Sequence, residues 1–423
     1  MSFYKTFSIY TICGFVAKGI SFILLPFFTH YLSRSDYGLI TIFANSVYFI
    51  APLMNLGIGE TYTVEYQGLD KKNIASFIST SSIVPIIILA FVLCMVGLFN
   101  PFITRLIGLS AMLQYLICLF SFSNFFNEYL FTYFRNRNQP VNFGILTIIK
   151  TALELTLAVY FIKFCGDGYI GRVKSMFITT VIIFVFTLIY FIKNDVLNLN
   201  ITKKWFLLII KRGIPTIPLF VMVFLLYNTD NYMVNYYHGA AAIGVYGLAS
   251  QIALLVNFVC SSFITPFYPF LYDNLNKGNY VKVMSLVFKY IAFITGVVLL
   301  LALVTPLVFD YFIGYKFHAA LQYLSLLLLG QYFFSIYLIL AGLVFYKKQN
   351  NYFYYICPII IVLNIGINYL FIGVLKVSQY AIASALSYFV CLSIVACTYY
   401  KYIYKGTVIY IKWLIVRKRE KMI

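Results

Sequence analysis

Residues Met284–Phe309 read MSLVFKYIAFITGVVLLLALVTPLVF, and this stretch decides the fold class. A helix needs about 20 apolar residues to cross a hydrocarbon core about 30 Å thick, and this run supplies them. Its one charge, Lys289, stands near the start. Comparable runs recur from end to end, at roughly 7–32, 39–60, 74–99, 111–133, 142–164, 173–192, 215–236, 244–271, 284–309, 320–345, 352–375 and 379–402. Of 423 residues, 62% are hydrophobic and 10% charged, whereas a soluble domain carries about 25% charged residues. The expectation is an all-α polytopic membrane protein of about twelve transmembrane helices with no soluble domain.

The formal net charge is +19. The basic residues stand in short loops between apolar spans, with no basic groove interleaved with exposed aromatics, so nucleic acid is not an expected partner. With the N-terminus placed in the cytoplasm, 22 of the 31 basic residues fall in cytoplasmic loops and the tail, and 7 fall on the other side: Arg34, Arg105, Lys163, Arg172, Lys174, Lys316 and Lys376. Lys18 and Lys150 stay within spans. That bias places both termini inside. The tail from Lys412 to Lys421, with Trp413, reads either as an interfacial segment on an anionic leaflet or as an end held inside by its charge. The eight cysteines are scattered without a C-x-x-C pair and read as small hydrophobes. The first apolar run is too long for a cleavable signal and carries Lys18 midway.

The longest connection, Lys193 to Gly213, divides the spans six and six, giving an N-lobe at 1–200, a C-lobe at 201–402 and a basic cytoplasmic tail at 403–423. The halves echo each other. Tyr37-Gly38-Leu39 and Tyr246-Gly247-Leu248 are 209 apart, while Phe134/Phe345 and Tyr169/Tyr380 are 211 apart. An even number of spans per half makes the repeat parallel, and transporters built this way hold a central pathway between rocking lobes.

Ionisable groups inside a span cost about 2.5–3.5 kcal/mol on insertion scales, so each one asks for a reason. Thr11, Gly14, Lys18 and Ser21 share a face of the first span, and Asn45, Tyr48, Pro52, Asn55 and Gly59 share a face of the second, with Glu60 just beyond. Lys150 and Glu154 are four apart, which fits either a bridge along one helix or a pair lining a wet cavity. Asp230, Asn231, Gln251 and Asn257 join Lys18, Asn45, Asn55, Lys150 and Glu154 as candidates for a substrate pathway, and Glu128 is a further buried charge. Such a lining suits a hydrated, hydrogen-bonding cargo with some negative charge. Lys18 would attract phosphate, and Glu60, Glu128, Glu154 and Asp230 are candidates to exchange a coupling cation. His238 and His318 read as solvated loop-end residues. Pro26, Pro215, Pro218 and Pro266 are hinge candidates, although Pro215 and Pro218 also fit an ordinary helix start.

No G-x-x-x-x-G-K-[ST] loop, metal-ligand spacing or long extracytoplasmic loop is present. The chain therefore reads as a non-enzyme without a cofactor or an ATP site, so that energy would come from a proton or sodium gradient or from downstream consumption of the cargo.

Several motifs carry a family likeness. Gly19-Ile-Ser-Phe-Ile-Leu-Leu-Pro26, Tyr31-Leu-Ser-Arg-Ser-Asp-Tyr-Gly38 and Leu56-Gly-Ile-Gly59 are followed by Gly166-Asp-Gly168-Tyr-Ile-Gly171 and Gly213-Ile-Pro215-Thr-Ile-Pro218. Asp230-Asn231-Tyr232, Gly244-Val-Tyr246-Gly247-Leu-Ala249 and Pro266-Phe-Tyr-Pro269 complete the set. In order and spacing these resemble the Wzx-type O-antigen repeat-unit flippases of the MOP exporter superfamily. The resemblance implies two six-helix lobes around a central cavity in a bacterial inner membrane. It implies transfer of an undecaprenyl-diphosphate-linked oligosaccharide from the cytoplasmic to the periplasmic leaflet, beside membrane lipids and with a polysaccharide polymerase and chain-length regulator as partners. Lys18, Lys150, Glu154 and Asp230 carry over as lumen positions. Alternatives are a multidrug/cation antiporter of the same superfamily, a lipid II flippase, which usually has extra helices, and an O-antigen polymerase, which needs a large periplasmic loop. A purely structural scaffold gives no reason to keep Lys18, Lys150 and Glu154 inside helices.

Overall fold

The computed structural model describes every residue except 1–12, 14, 15, 17, 18, 21, 67–69, 199, 348–350, 371–375 and 421–423. Helix follows helix, and no strand occurs among the described residues. In hydrocarbon the backbone must satisfy its own hydrogen bonds, which a helix does within one segment. The helix starts and stops are written locally. Ser33 Oγ accepts from Asp36 N at 3.0 Å while Asp36 Oδ2 accepts from Ser33 N at 3.0 Å, a capping box that opens Arg34–Asn55. Asp70 Oδ1 accepts from Asn73 N at 3.0 Å and opens Lys71–Ser81. Gly108, at φ 73°, closes Ile83–Ile107 in the left-handed region.

Eight described stretches are long and apolar enough to cross a membrane. They account for nine of the twelve expected spans, because spans seven and eight run together within Ile217–Asn276 and part only at Gly239 (φ 80°, ψ 175°). The other three have separate reasons. Part of the first span, including the whole Thr11, Gly14, Lys18 and Ser21 stripe, lies outside the described residues. The eleventh is the shorter apolar helix Tyr355–Leu370, the end of a helix that begins at Asn351. The fourth, Ala111–Asn136, is long enough at 26 residues but too polar, and it is the helix against which most of its neighbours pack.

Contacts divide the chain into two compact units, Met1–Gly244 and Val245–Ile423. Within the first, Ala111–Asn136 packs on Arg34–Asn55, Ile83–Ile107, Pro140–Val159 and Gly168–Lys193. Its buried aromatics Phe125, Phe126, Tyr129 and Tyr133 join a core with Tyr62, Phe77, Phe191 and Trp205. The stretch read as a long connection contains a further helix, Lys203–Gly213. It is amphipathic, burying Trp205 and Ile209 while Lys203, Lys204, Lys211 and Arg212 stay exposed, and Trp205 meets Phe77 edge-on at 5.4 Å. Hydrogen bonds from Ser76 Oγ to Asn200 O (3.0 Å) and from Thr202 N to Thr80 Oγ1 (3.0 Å) dock this segment on Lys71–Ser81.

In the second unit Leu321–Tyr346 and Ser378–Thr398 pack along their length. Small residues let them approach: a Cβ on Gly330 would stand 3.3 Å from Ala385 Cα. The tail is helical over Tyr400–Glu420 and lies beside Tyr280–Phe312, with Tyr410 stacked on Phe288 at 5.4 Å.

Candidate functional site

Two polar stripes of the first unit face each other. One is the stripe read on span two. Arg34–Asn55 ends where Leu56 (φ 43°) and Gly57 (φ 64°) turn left-handed, and Ile58–Tyr66 resumes the helix. Asn55 spans the break: its Oδ1 accepts from Gly59 N at 3.2 Å, and its Nδ2 donates to Glu60 Oε2 at 3.4 Å. The second stripe runs along Ala111–Asn136 through Asn124, Glu128, Thr132 and Arg135, spaced by four, four and three residues so that one helical face carries them all.

Between the stripes lies a cavity of about 820 Å³, within the usual range of about 300–1,000 Å³ for ligand sites. Tyr48, Pro52, Asn55, Gly59, Glu60 and Thr63 line one wall, Asn124, Glu128, Thr132, Arg135 and Asn136 the other, and Phe220 adds an apolar edge. Asn136 Nδ2 donates to Thr63 Oγ1 at 3.2 Å, tying one wall to the other. Arg135 Nη2 donates to Thr132 Oγ1 at 2.9 Å, fixing the guanidinium in the lining. Among the described residues, neither Glu60 nor Glu128 has a cation within 4.0 Å. The chamber thus offers amides, hydroxyls, two carboxylates and one guanidinium, a set that hydrogen-bonds a hydrated solute and can exchange a cation.

The remaining candidates separate. Lys150 and Glu154 do not bridge each other. Glu154 Oε1 accepts from Arg172 Nη2 at 2.7 Å across the hairpin to Gly168–Lys193, and the Arg172 guanidinium lies 5.1 Å from the Phe28 ring centroid. Lys150 Nζ donates instead to Asn124 Oδ1 at 3.3 Å and sits 5.7 Å from the Phe131 ring, directly behind the cavity wall. Arg172, expected in a loop, belongs to the first turns of a helix that starts at Gly168. Asn45 is buried at 8% exposure with its Nδ2 unpartnered. Asp230 and Asn231 are buried on Ile217–Asn276, and the next residue, Tyr232, has its hydroxyl 3.1 Å from Ser46 Oγ on Arg34–Asn55. Gln251 (exposed) and Asn257 (half-buried) belong to the second unit. Lys18 lies outside the described residues. His318 is half-buried, its ring nitrogen 3.0 Å from Phe309 O.

Of the hinge candidates, Pro26 opens Leu25–Tyr31, Pro215 sits in the 3₁₀ turn Ile214–Thr216 and Pro218 is the second residue of Ile217–Asn276, all places where a missing N–H costs little. Pro266 lies inside that last stretch.

The motif glycines answer to each other in space. A Cβ on Gly38 would stand 1.9 Å from Ala240 O, one on Gly244 1.9 Å from Arg34 O and one on Gly213 2.2 Å from Leu56 O. Gly168 (φ 54°) lies against the Asp36 carboxylate, where a Cβ would be 3.7 Å from Oδ1. Thus Tyr37-Gly38 meets Gly244, Leu56-Gly57 meets Gly213-Ile-Pro215, and Ser33-Arg-Ser-Asp36 meets Gly166-Asp-Gly168. These motifs are junctions at which helices and turns of the first unit come into close contact.

The sequence reading missed Asn124, Thr132, Arg135 and Asn136. The signal was available, since they extend Glu128 at helical spacing.

No protein-family model and no curated protein matches the chain. Solved structures do. An inward-facing multidrug resistance MATE family transporter of the MOP superfamily aligns over 96% of this chain and 96% of its own, with TM-score 0.70 and 13% identity. A MOP superfamily transporter from Pyrococcus furiosus, described as having a binding pocket of reverse polarity that suggests a different function, aligns over 95% of both chains with TM-score 0.62 and 14% identity. A MATE in complex with MaD3S aligns over 96% of both with TM-score 0.61 and 15% identity. At such identities the likeness is one of fold: the chain has the all-helical, membrane-embedded fold of the MATE transporters of the MOP superfamily.

Proposed function

We propose that this protein is a non-enzymatic transporter that flips a lipid-linked oligosaccharide, of the undecaprenyl-diphosphate class, from the cytoplasmic to the periplasmic leaflet of a bacterial inner membrane. The observation that carries the reading is the two-striped cavity. Sugar hydroxyls need donors and acceptors together, and Asn55, Asn124, Asn136, Thr63, Thr132 and Tyr48 supply both. Arg135 presents a fixed guanidinium to a phosphate, with Lys150 one residue behind the wall and Lys18 as a further point charge. Glu60 and Glu128 would bind the coupling proton or sodium ion. Both carboxylates face the cavity, so loading one changes the field the cargo meets. The solved neighbours support transport as the kind of activity, and the 22 to 7 distribution of basic residues supports both termini inside. Polymerase and chain-length regulator are the partners this reading implies.

A second reading is favoured by the same two carboxylates. With no cation within 4.0 Å among the described residues, they could hold a cationic drug as in a multidrug antiporter. Deleting the gene and fractionating lipid-linked intermediates separates the two. Complete repeat units held in the cytoplasmic leaflet support the flippase. Unchanged intermediates together with sensitivity to cationic drugs support the antiporter.

A further inference from the structure

Tyr280–Phe312 is 33 residues long, about 50 Å at about 1.5 Å per residue, and so exceeds a hydrocarbon core of about 30 Å. Its uncharged part, Tyr290–Phe309, is 20 residues and fits that core. Lys289 is therefore the last charge before the apolar run, at the depth where lipid phosphates lie. Lys282, Ser285 and Lys289 follow i, i+3 and i+7 on one face and, with Phe270, Val281 and Leu286, line a recess of about 260 Å³.

Among the described residues nothing balances these lysines. Both are exposed, and among the described residues neither pairs with a carboxylate. Asp273, near the recess in sequence, is held by Lys277 at 2.7 Å. The second unit has three acids, Asp273, Asp310 and Glu420, against fourteen basic residues. The placement of Lys282 in the first turn also works against the fold, because a helix N-terminal end is already positive and disfavours cations there. Lys405 adds a further charge, 5.2 Å from the Tyr280 ring centroid. Beyond Lys289 the helix exposes Phe293, Leu299, Leu300, Leu303 and Leu307, a path for acyl chains.

We propose that this recess binds the phosphate of an anionic lipid headgroup, held by Lys282 and Lys289, with the lipid tail along the exposed apolar face of Tyr290–Phe309. The inference does not rest on the flippase reading.

The test uses the full chain in detergent, titrated with fluorescent phosphatidylglycerol. Lys282→Gln/Lys289→Gln is expected to weaken binding at least tenfold, whereas Lys163→Gln, an exposed cation of the first unit, leaves it unchanged. Lys282→Arg/Lys289→Arg should retain binding, which separates charge from folding, and all three variants should melt with wild type. Equal affinity in wild type and the double Gln variant overturns the site. Displacement by inorganic phosphate at concentrations matching the lipid overturns the lipid assignment and leaves a free-anion site.

Discussion

In the Met1–Gly244 unit, Glu60, Glu128, Lys150, Glu154 and Arg172 all sit on helices: Glu60 and Glu128 line the cavity, Lys150 bonds Asn124 of its wall, and Glu154 pairs with Arg172. In Val245–Ile423 the buried polar groups among the described residues are neutral: Asn274, Thr305, Gln331, Ser335, Asn364, Asn368, Gln379, Ser384 and Ser387. They bond among themselves and to the backbone, as in Asn368 Nδ2 to Asn364 Oδ1 (3.2 Å) and Ser335 Oγ to Gln331 O (2.8 Å). Neutral amides and hydroxyls hold helices together in an apolar medium at modest cost, whereas charges there are costly and need partners or water. One unit thus keeps its polar groups for packing. The other keeps a set that packing alone does not require.

The largest effect should come from the backbone contacts of the first unit. Gly38→Ala forces a Cβ to within 1.9 Å of a carbonyl oxygen that cannot move alone, and overpacking costs about 1–3 kcal/mol or more. Gly330→Ala, with its nearest atom at 3.3 Å, should cost under about 1 kcal/mol by the same reasoning. Thermal unfolding in detergent ranks the two, and equal losses would erase the distinction between the units.

Next comes the ion pair. Arg172→Ala leaves Glu154 without its cation. Breaking a fully buried pair costs about 3–5 kcal/mol, and the residual 16% and 22% exposure brings this to about 2 kcal/mol. Arg172→Leu/Glu154→Leu should recover most of that loss. If the double variant unfolds as readily as the single, the pair contributes more than mutual neutralisation.

Glu60→Gln and Glu128→Gln should each reduce transport at least tenfold while changing stability by less than about 0.5 kcal/mol, because both side chains face the cavity. Gln331→Leu in the second unit should leave transport intact. Loss of transport there instead would extend the functional lining into the second unit. Asn55→Ala, which removes the side chain that caps Ile58–Tyr66, should cost about 1 kcal/mol, readable as a small shift in melting temperature.

Parts of this site were legible and parts were not, for physical reasons. The Tyr48, Pro52, Asn55 and Gly59 stripe could be read because helix periodicity is a local property. Its partner stripe was half visible: Glu128 stands out as a charge, but Asn124 and Thr132 are common in any buried helix. The Lys150/Glu154 spacing fitted either a local bridge or a pair lining a wet cavity, yet Arg172 took the carboxylate from 18 residues away, across a hairpin whose pairing no local pattern encodes. The midpoint connection was misread because Lys203–Gly213 is too short and too basic to look like a span, although it buries Trp205.

The sequence by itself determined an all-helical, membrane-embedded architecture, most of its apolar spans and the polar face of span two. Each of these depends on interactions within a few residues: apolar length, i to i+4 hydrogen bonds, caps and breakers. Only the tertiary structure decided which polar faces meet, that the motif glycines are points of backbone contact, and that Glu154 answers to Arg172. Those outcomes are contacts between residues distant in sequence, set by shape and charge at packed helix surfaces, and one chain read alone carries no record of such pairings.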